Sequence, residues 1–253
     1  MRKGMEAKLI AHTQLSEEFR REVEDEFVNS HWKSTHGQSV ALSAIRTCYS
    51  ANKPSKVLVM EGDRYFGQKA TDGAGGTETD RLIRQIIASK HTSTVEHLSF
   101  TFSIEGVSRS LLAQLTRHRV GFSYSVQSQR YVRFGSNDKS GGFDYVVPDK
   151  IAADEDALAN FENYMEFTQH FYDELRANGI PAEDARSILP QAATTNLVMT
   201  ANLRALLDFY SKRRKGNGAQ SEIAELAELL KDEVIKVEPW TKDFFEKVGK
   251  QND

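Results

Sequence analysis

Hydrophobic and polar positions alternate most clearly in EHLSFTFSIEGV, residues 96–107, where Leu98, Phe100, Phe102 and Ile104 interleave with Ser99, Thr101, Ser103 and Glu105. A repeat of two with one wet face predicts a half-buried strand. A second strand is predicted over ATTNLVMTANL, and a third over FDYVVP. Other stretches carry the helical repeat. QSVALSAIRTCYS places Val40, Ala41, Ala44, Ile45 and Cys48 on one face, which makes Cys48 an inert buried thiol by default. DRLIRQIIASK gathers Leu82, Ile83, Ile86 and Ile87, with Thr77 or Thr79 as its cap. Ser108 caps a helix through RSLLAQLTRHR, with Leu111, Leu112 and Leu115 inward. A long helix follows from Ile151 to Ala177, stopped by Asn178-Gly179, and its Tyr164, Phe167, Phe171 and Tyr172 read as core or subunit contact. Pro181 opens a short helix and Pro190 closes it. RALLDFYSKRR and SEIAELAELLKDEVIKV are helices joined by KGNGAQ, and SEEFRREVEDEF is a charged surface helix near the N-terminus. The expected class is α+β, one domain richer in helix than strand.

Composition narrows the function. The chain has 253 residues, 39% hydrophobic, with a net charge of −3, which argues against a general nucleic-acid binder. A single cysteine excludes an intrachain disulfide and suits a reducing compartment. No apolar run is long enough for a signal peptide or a membrane span, so a cytoplasmic protein is expected.

Against this acidic background stands TRHRVGFSYSVQSQRYVRF, residues 116–134, with Arg117, His118, Arg119, Arg130 and Arg133 and no acid among them. Alone, Arg117 and Arg119 read as a solvated helix end, each cation stabilised by about 0.3–1 kcal/mol from the helix dipole. On a continuing helix they project about 200° apart, toward two ligands or one that wraps the turn. In an extended FSYSVQSQRY, Ser128 and Arg130 share a face. A hydroxyl beside a guanidinium fork suits a phosphate monoester, and so favours a small phosphorylated ligand over a polymer. His91, His97 and His118 lack zinc spacing, so no metal is expected. GAGG at residues 73–76 lacks the Lys-Ser/Thr of a phosphate-binding loop and reads as a plain loop. Ser128 has no legible Ser-His-Asp partners and reads as a ligand donor.

RHR followed by a Ser-rich stretch and SQRY closely resembles the signature of the flavin-dependent thymidylate synthases, which read Arg-His-Arg, seven residues, Ser, then Arg-Tyr; here eight residues separate Arg119 from Ser128. AIRTCYS, STVEHLSFTF, ARSILP, TANLRALLDF and AQSEI resemble further blocks of that family in the same order, over about residues 38–245. A tryptophan is more usual where Ser221 stands. The resemblance implies a catalytic domain over residues 36–253, a mixed α/β domain with a central, mostly antiparallel sheet flanked by helices; residues 1–35 lie outside it and are expected to form an N-terminal helical extension. It implies a homotetramer with active sites between subunits, and reductive methylation of dUMP to dTMP. The carbon would come from 5,10-methylenetetrahydrofolate and the electrons from NADPH through FAD. Carried over by position, Gln114, Arg117, Ser128, Gln129, Arg130 and Arg186 would bind dUMP. Arg213, or Arg214 one residue on, would polarise the uracil as the catalytic arginine. Cys48, His97, Ser99, Arg117, His118, Arg119, Asn202, Arg204 and Asp208 would face FAD. Two other readings are a flavin- or nucleotide-binding paralogue without turnover, and an RNA-binding module using Arg117, Arg119, Arg130 and Arg133 with Phe122, Tyr124 and Tyr131.

Overall fold

A computed structural model describes residues 4–26 and 34–250. In chain order the elements are β1 (Glu6–His12), α1 (Glu17–Glu26), α2 (His36–Tyr49), α3 (Val57–Gly67), α4 (Glu78–Ala88), β2 (Ser99–Ser108), α5 (Arg109–Leu115), β3 (Phe122–Val126), α6 (Asp149–Ala152), α7 (Glu155–Ala177), α8 (Ala182–Ala185), β4 (Thr194–Asn202), α9 (Leu203–Arg213), α10 (Ser221–Val237) and α11 (Lys242–Lys250). The four strands form one sheet in the order β1-β2-β4-β3. Its pairings are antiparallel. As β2 runs from Leu98 to Arg109, its backbone partners descend from Leu203 to Ala193 (2.8 and 3.0 Å). The Thr13 amide after β1 reaches the Ser99 carbonyl at the start of β2 (2.9 Å), and the Gln127 amide after β3 reaches the Asn196 carbonyl near the start of β4 (2.9 Å).

That register holds one surplus residue on β2. Eleven steps from Leu98 to Arg109 face ten from Leu203 to Ala193. The surplus sits near Gly106, whose φ of 69° is a conformation glycine adopts without strain. The in-out alternation of Phe100, Phe102 and Ile104 ends there, and Gly106, Val107 and Ser108 are all buried. The bulge thus turns the end of β2 into α5.

The chain divides into two compact units. The first comprises residues 1–8, 102–199 and 212–230. It contains a core of Phe134, Phe143, Met165, Tyr172, Ala185 and Ala193, in which the Tyr172 hydroxyl accepts the Phe134 amide (3.3 Å). The second comprises residues 9–101, 200–211 and 231–253, with Val23, Leu42, Leu58, Tyr65 and Phe66 forming one of its cores. Within it Glu233 accepts the Leu9 amide (2.8 Å), which covers part of the open edge of β1.

Several expectations are revised. Residues 6–12 form an edge strand rather than part of a helical N-terminus; their apolar positions are too few to mark the repeat. Residues 27–33 of the expected 1–35 extension lie outside the described residues. FDYVVP makes only a bridge, Tyr145 to Ala193, because Pro148 ends the pairing. The long helix is broken after α6, and Asp154 caps α7 by accepting the Ala157 amide (2.9 Å). Cys48 is exposed rather than buried, since the last turn of α2 rises out of its core. Among the described residues no helix is long and apolar enough to cross a membrane.

Candidate functional site

In the first unit, Ser108 sets up the helix that leads to the arginine cluster. Its hydroxyl accepts the Leu111 amide (2.9 Å) and donates to Glu222 (2.6 Å), while its amide donates to the other Glu222 oxygen (2.7 Å). Gln114, on α5, donates to Gln220 (2.5 Å), which lines a cavity of about 370 Å³ with Ser110, Ser221 and Glu222. α5 then stops at Leu115, so Arg117 and Arg119 lie in a turn beyond it and not on opposite faces of a helix. Tyr124 secures that turn: its hydroxyl donates to the carbonyls of Leu115 (3.0 Å) and His118 (2.6 Å), and burial raises its pKa. Arg117 and Arg119 are exposed and carry no ion pair among the described residues.

His118 is the member of the triplet that turns toward the protein. Its Nε2 accepts from Arg213 Nε (3.2 Å), which requires a neutral ring with the proton on Nδ1. Arg214, the rival in sequence, sends its Nη1 to the Lys215 carbonyl instead (3.4 Å). The Arg213 bond to His118 ties the end of α9 to the signature.

Ser128, Gln129 and Arg130 are not strand residues as the period-two reading required. β3 ends at Val126, and the Ser128 carbonyl accepts the amides of Tyr131 (3.2 Å) and Val132 (2.9 Å), which closes a turn. The Ser128 hydroxyl accepts the Arg130 amide (3.2 Å), and Gln129 is buried. Arg130 swings to Glu183, donating from Nε to a carboxylate oxygen (3.0 Å), with Nη2 in ion-pair contact with the same oxygen (2.8 Å). Arg186 donates from Nε to the backbone carbonyl of the same Glu183 (3.0 Å).

A residue the sequence reading passed over joins them. Arg109 follows Ser108 as the first residue of α5, and the amides of Arg109 and Ser110 donate to the carbonyls of Ala193 (3.0 Å) and Gln191 (3.1 Å), just beyond the Arg186–Ile188 turn. Burial, then the nearby Arg186 charge, lowers the Arg109 pKa, and no carboxylate pairs with it among the described residues. The signal was present in the sequence: a cation directly behind an N-cap sits at the end of a helix that disfavours positive charge. A partly buried guanidinium beside a second arginine, with no carboxylate partner among the described residues, makes this a candidate anion site.

The second unit holds most of the other set. Arg204 and Asp208 line a cleft of about 260 Å³ with Thr92, Val95, Leu207 and Ser211. Arg204 pairs with Glu96 across exposed surface, and Asn202 accepts the Ala205 amide (2.9 Å), capping α9. The Ser99 amide donates to the Thr13 hydroxyl (2.8 Å), and His97 is exposed. Cys48 sends its thiol to the Ala44 carbonyl (3.6 Å). A cleft of this size with a guanidinium and hydroxyls fits part of a flavin dinucleotide rather than the whole molecule.

Comparisons with known proteins bear on these arrangements. A flavin-dependent thymidylate synthase of Nitratidesulfovibrio vulgaris is 46% identical over 200 residues, 76% of this chain and 75% of that protein. One of Clostridium tetani is 34% identical over 218 residues, 80% of this chain and 79% of its own. Among solved structures, a UMP/dUMP methylase, PolB of Streptomyces cacaoi, bound with 5-bromo-dUMP, has the same fold at a TM-score of 0.72 and 22% identity, covering 100% of this chain and 99% of that one. Residues 30–240 match the thymidylate synthase complementing protein family. With the Arg-His-Arg and Ser-Gln-Arg-Tyr turns in place and relatives this similar over three quarters of the sequence, the chain belongs to that family, the flavin-dependent thymidylate synthases.

Proposed function

We propose that this chain catalyses the reductive methylation of dUMP to dTMP. 5,10-Methylenetetrahydrofolate would donate the carbon and NADPH the electrons, in a cytoplasmic homotetramer whose active sites lie between subunits. The observation that carries the reading is the meeting of Arg130 and Arg186 at Glu183, with Arg109 beside them. One carboxylate, that of Glu183, pairs with Arg130 alone, while Arg186 is held by a backbone carbonyl and Arg109 lies near Arg186, so the cluster keeps an excess of positive charge suited to a phosphate monoester, which carries about −1.5 to −2 at neutral pH.

Arg130, Arg186 and Arg109 bind the phosphate, with the Ser128 hydroxyl and Gln129 beside it. Gln114 and Arg117 complete the nucleotide set. Arg213, held at its Nε by His118, presents its remaining N–H groups to the uracil and stabilises the anionic form of the ring, which moves electron density toward C5. Fixing the phosphate orients the base, so much of the acceleration comes from positioning. Bound FAD supplies the redox chemistry. Cys48, His97, Ser99, His118, Arg119, Asn202, Arg204 and Asp208, with Arg117, would hold it. No enzyme nucleophile is needed, which agrees with a Ser128 hydroxyl already engaged in its own turn. Tyr164, Phe167 and Phe171 on α7, 59%, 65% and 43% exposed, support subunit association, since three large apolar side chains along one helix gain by being covered.

The test is tritium release from 5-labelled dUMP in the presence of methylenetetrahydrofolate and NADPH, on protein first checked for yellow colour and FAD release. Release that requires all components is expected. A flavin-loaded protein that binds dUMP but releases no tritium would point instead to a paralogue without turnover.

A further inference from the structure

We infer that Glu183 is a positioning residue that aims two guanidinium groups at one phosphate; the inference rests on the reading of Arg130 and Arg186 as phosphate ligands. Glu183 meets both arginines, but by different groups. Its carboxylate oxygen Oε2 takes Nε and Nη2 of Arg130 (3.0 and 2.8 Å), and its backbone carbonyl takes Nε of Arg186 (3.0 Å). In each case the protein holds the guanidinium by its Nε edge. Nη1 of Arg130 and both Nη groups of Arg186 have no hydrogen-bond acceptor among the described residues. An arginine gripped on the Nε edge keeps its end fork for a ligand, and that fork matches two oxygens of a phosphate.

The carboxylate does not hold the fold together. Its side chain and that of Arg130 are 48% and 53% exposed, and an exposed pair of this kind contributes little to stability. Its effect falls instead on the entropy of binding. A free arginine samples many rotamers and must be ordered when it meets the phosphate, whereas one already held by Glu183 and lying over the Tyr131 ring (5.7 Å) has lost most of that freedom beforehand. The charge on Glu183 opposes a phosphate only modestly, because Arg109 and Arg186 still leave the cluster positive.

Binding of dUMP and of deoxyuridine would be measured by calorimetry for the wild type, Glu183→Ala, Glu183→Gln, Arg130→Ala and the double variant Arg130→Ala/Glu183→Ala. Glu183→Ala should weaken dUMP by about tenfold, the entropy of one arginine side chain. Glu183→Gln, which keeps an oxygen in place, should lose less. Deoxyuridine binding should not change, the melting temperature should stay within about 2 °C, and KM for dUMP should rise with kcat nearly constant. In the Arg130→Ala background, removing Glu183 should cost nothing further. Unchanged or tighter dUMP binding by Glu183→Ala overturns the inference, because Glu183 would then compete with the phosphate. So does an equal loss of deoxyuridine binding, or a full additional loss without Arg130. A wild type indifferent to dUMP overturns the reading of the site as well, so the two failures are distinguishable.

Discussion

Replacing Ser108 by Ala removes one oxygen that makes two bonds. Ser108 is 3% exposed; its hydroxyl caps α5 at Leu111 (2.9 Å) and donates to Glu222 (2.6 Å). Loss of the cap costs about 1 kcal/mol. Loss of a hydrogen bond to a carboxylate costs about 1.5–3 kcal/mol, although Glu222 keeps the Ser108 amide at 2.7 Å. Together the expected destabilisation is about 2–4 kcal/mol, which for a chain of this size lowers the melting temperature by about 5–12 °C. Thermal and urea unfolding of Ser108→Ala, Glu222→Ala and the double variant would measure it. The two single effects should not add, since each removes the same hydroxyl-carboxylate bond. Ser108→Thr keeps the oxygen and should recover most of the loss. A Ser108→Ala variant within about 0.5 kcal/mol of the wild type, or strict additivity with Glu222→Ala, would refute the assignment of this bond as the anchor of α5.

Arg213→Ala should lower tritium release by about 10²–10³-fold while dUMP still binds, and Arg214→Ala should stay within a few-fold; the reverse order would exchange their roles. Burial pushes the Glu61 pKa up, but hydrogen bonds from Ser50, Arg46 and Asn52 outweigh it and leave the pKa below the ordinary 4.5. Glu61→Gln should therefore cost about 1–3 kcal/mol at pH 7, and the gap should close as the pH falls through the lowered folded-state value; a gap unchanged in acid would contradict this. Gly106→Ala forces a side chain into φ 69° and should cost about 1–2 kcal/mol by urea unfolding; a neutral substitution would argue against the bulge. Glu at both Phe167 and Phe171 should shift sedimentation to a smaller species, and an unchanged mass would remove α7 from any subunit contact.

What could be read along the chain was whatever repeats over a short span. The alternation in β2, the apolar stripe of α4, the Ser108 cap and the Asn178-Gly179 stop are local choices of backbone and solvent. The Arg-His-Arg and Ser-Gln-Arg-Tyr motifs were legible as candidate sites because a cluster of cations with no acid near it in sequence is itself anomalous. β1 and the tail of α2 were misread because burial there is set by distant neighbours, not by spacing. Tertiary structure alone decided that Ser128 and Arg130 lie in a turn, that Arg213 reaches His118, that Glu183 meets Arg130, and that Arg109 lies near Arg186, each pair far apart in sequence. Periodicity follows from local geometry, whereas the partner of a charge depends on which side chains the fold brings within a few ångströms.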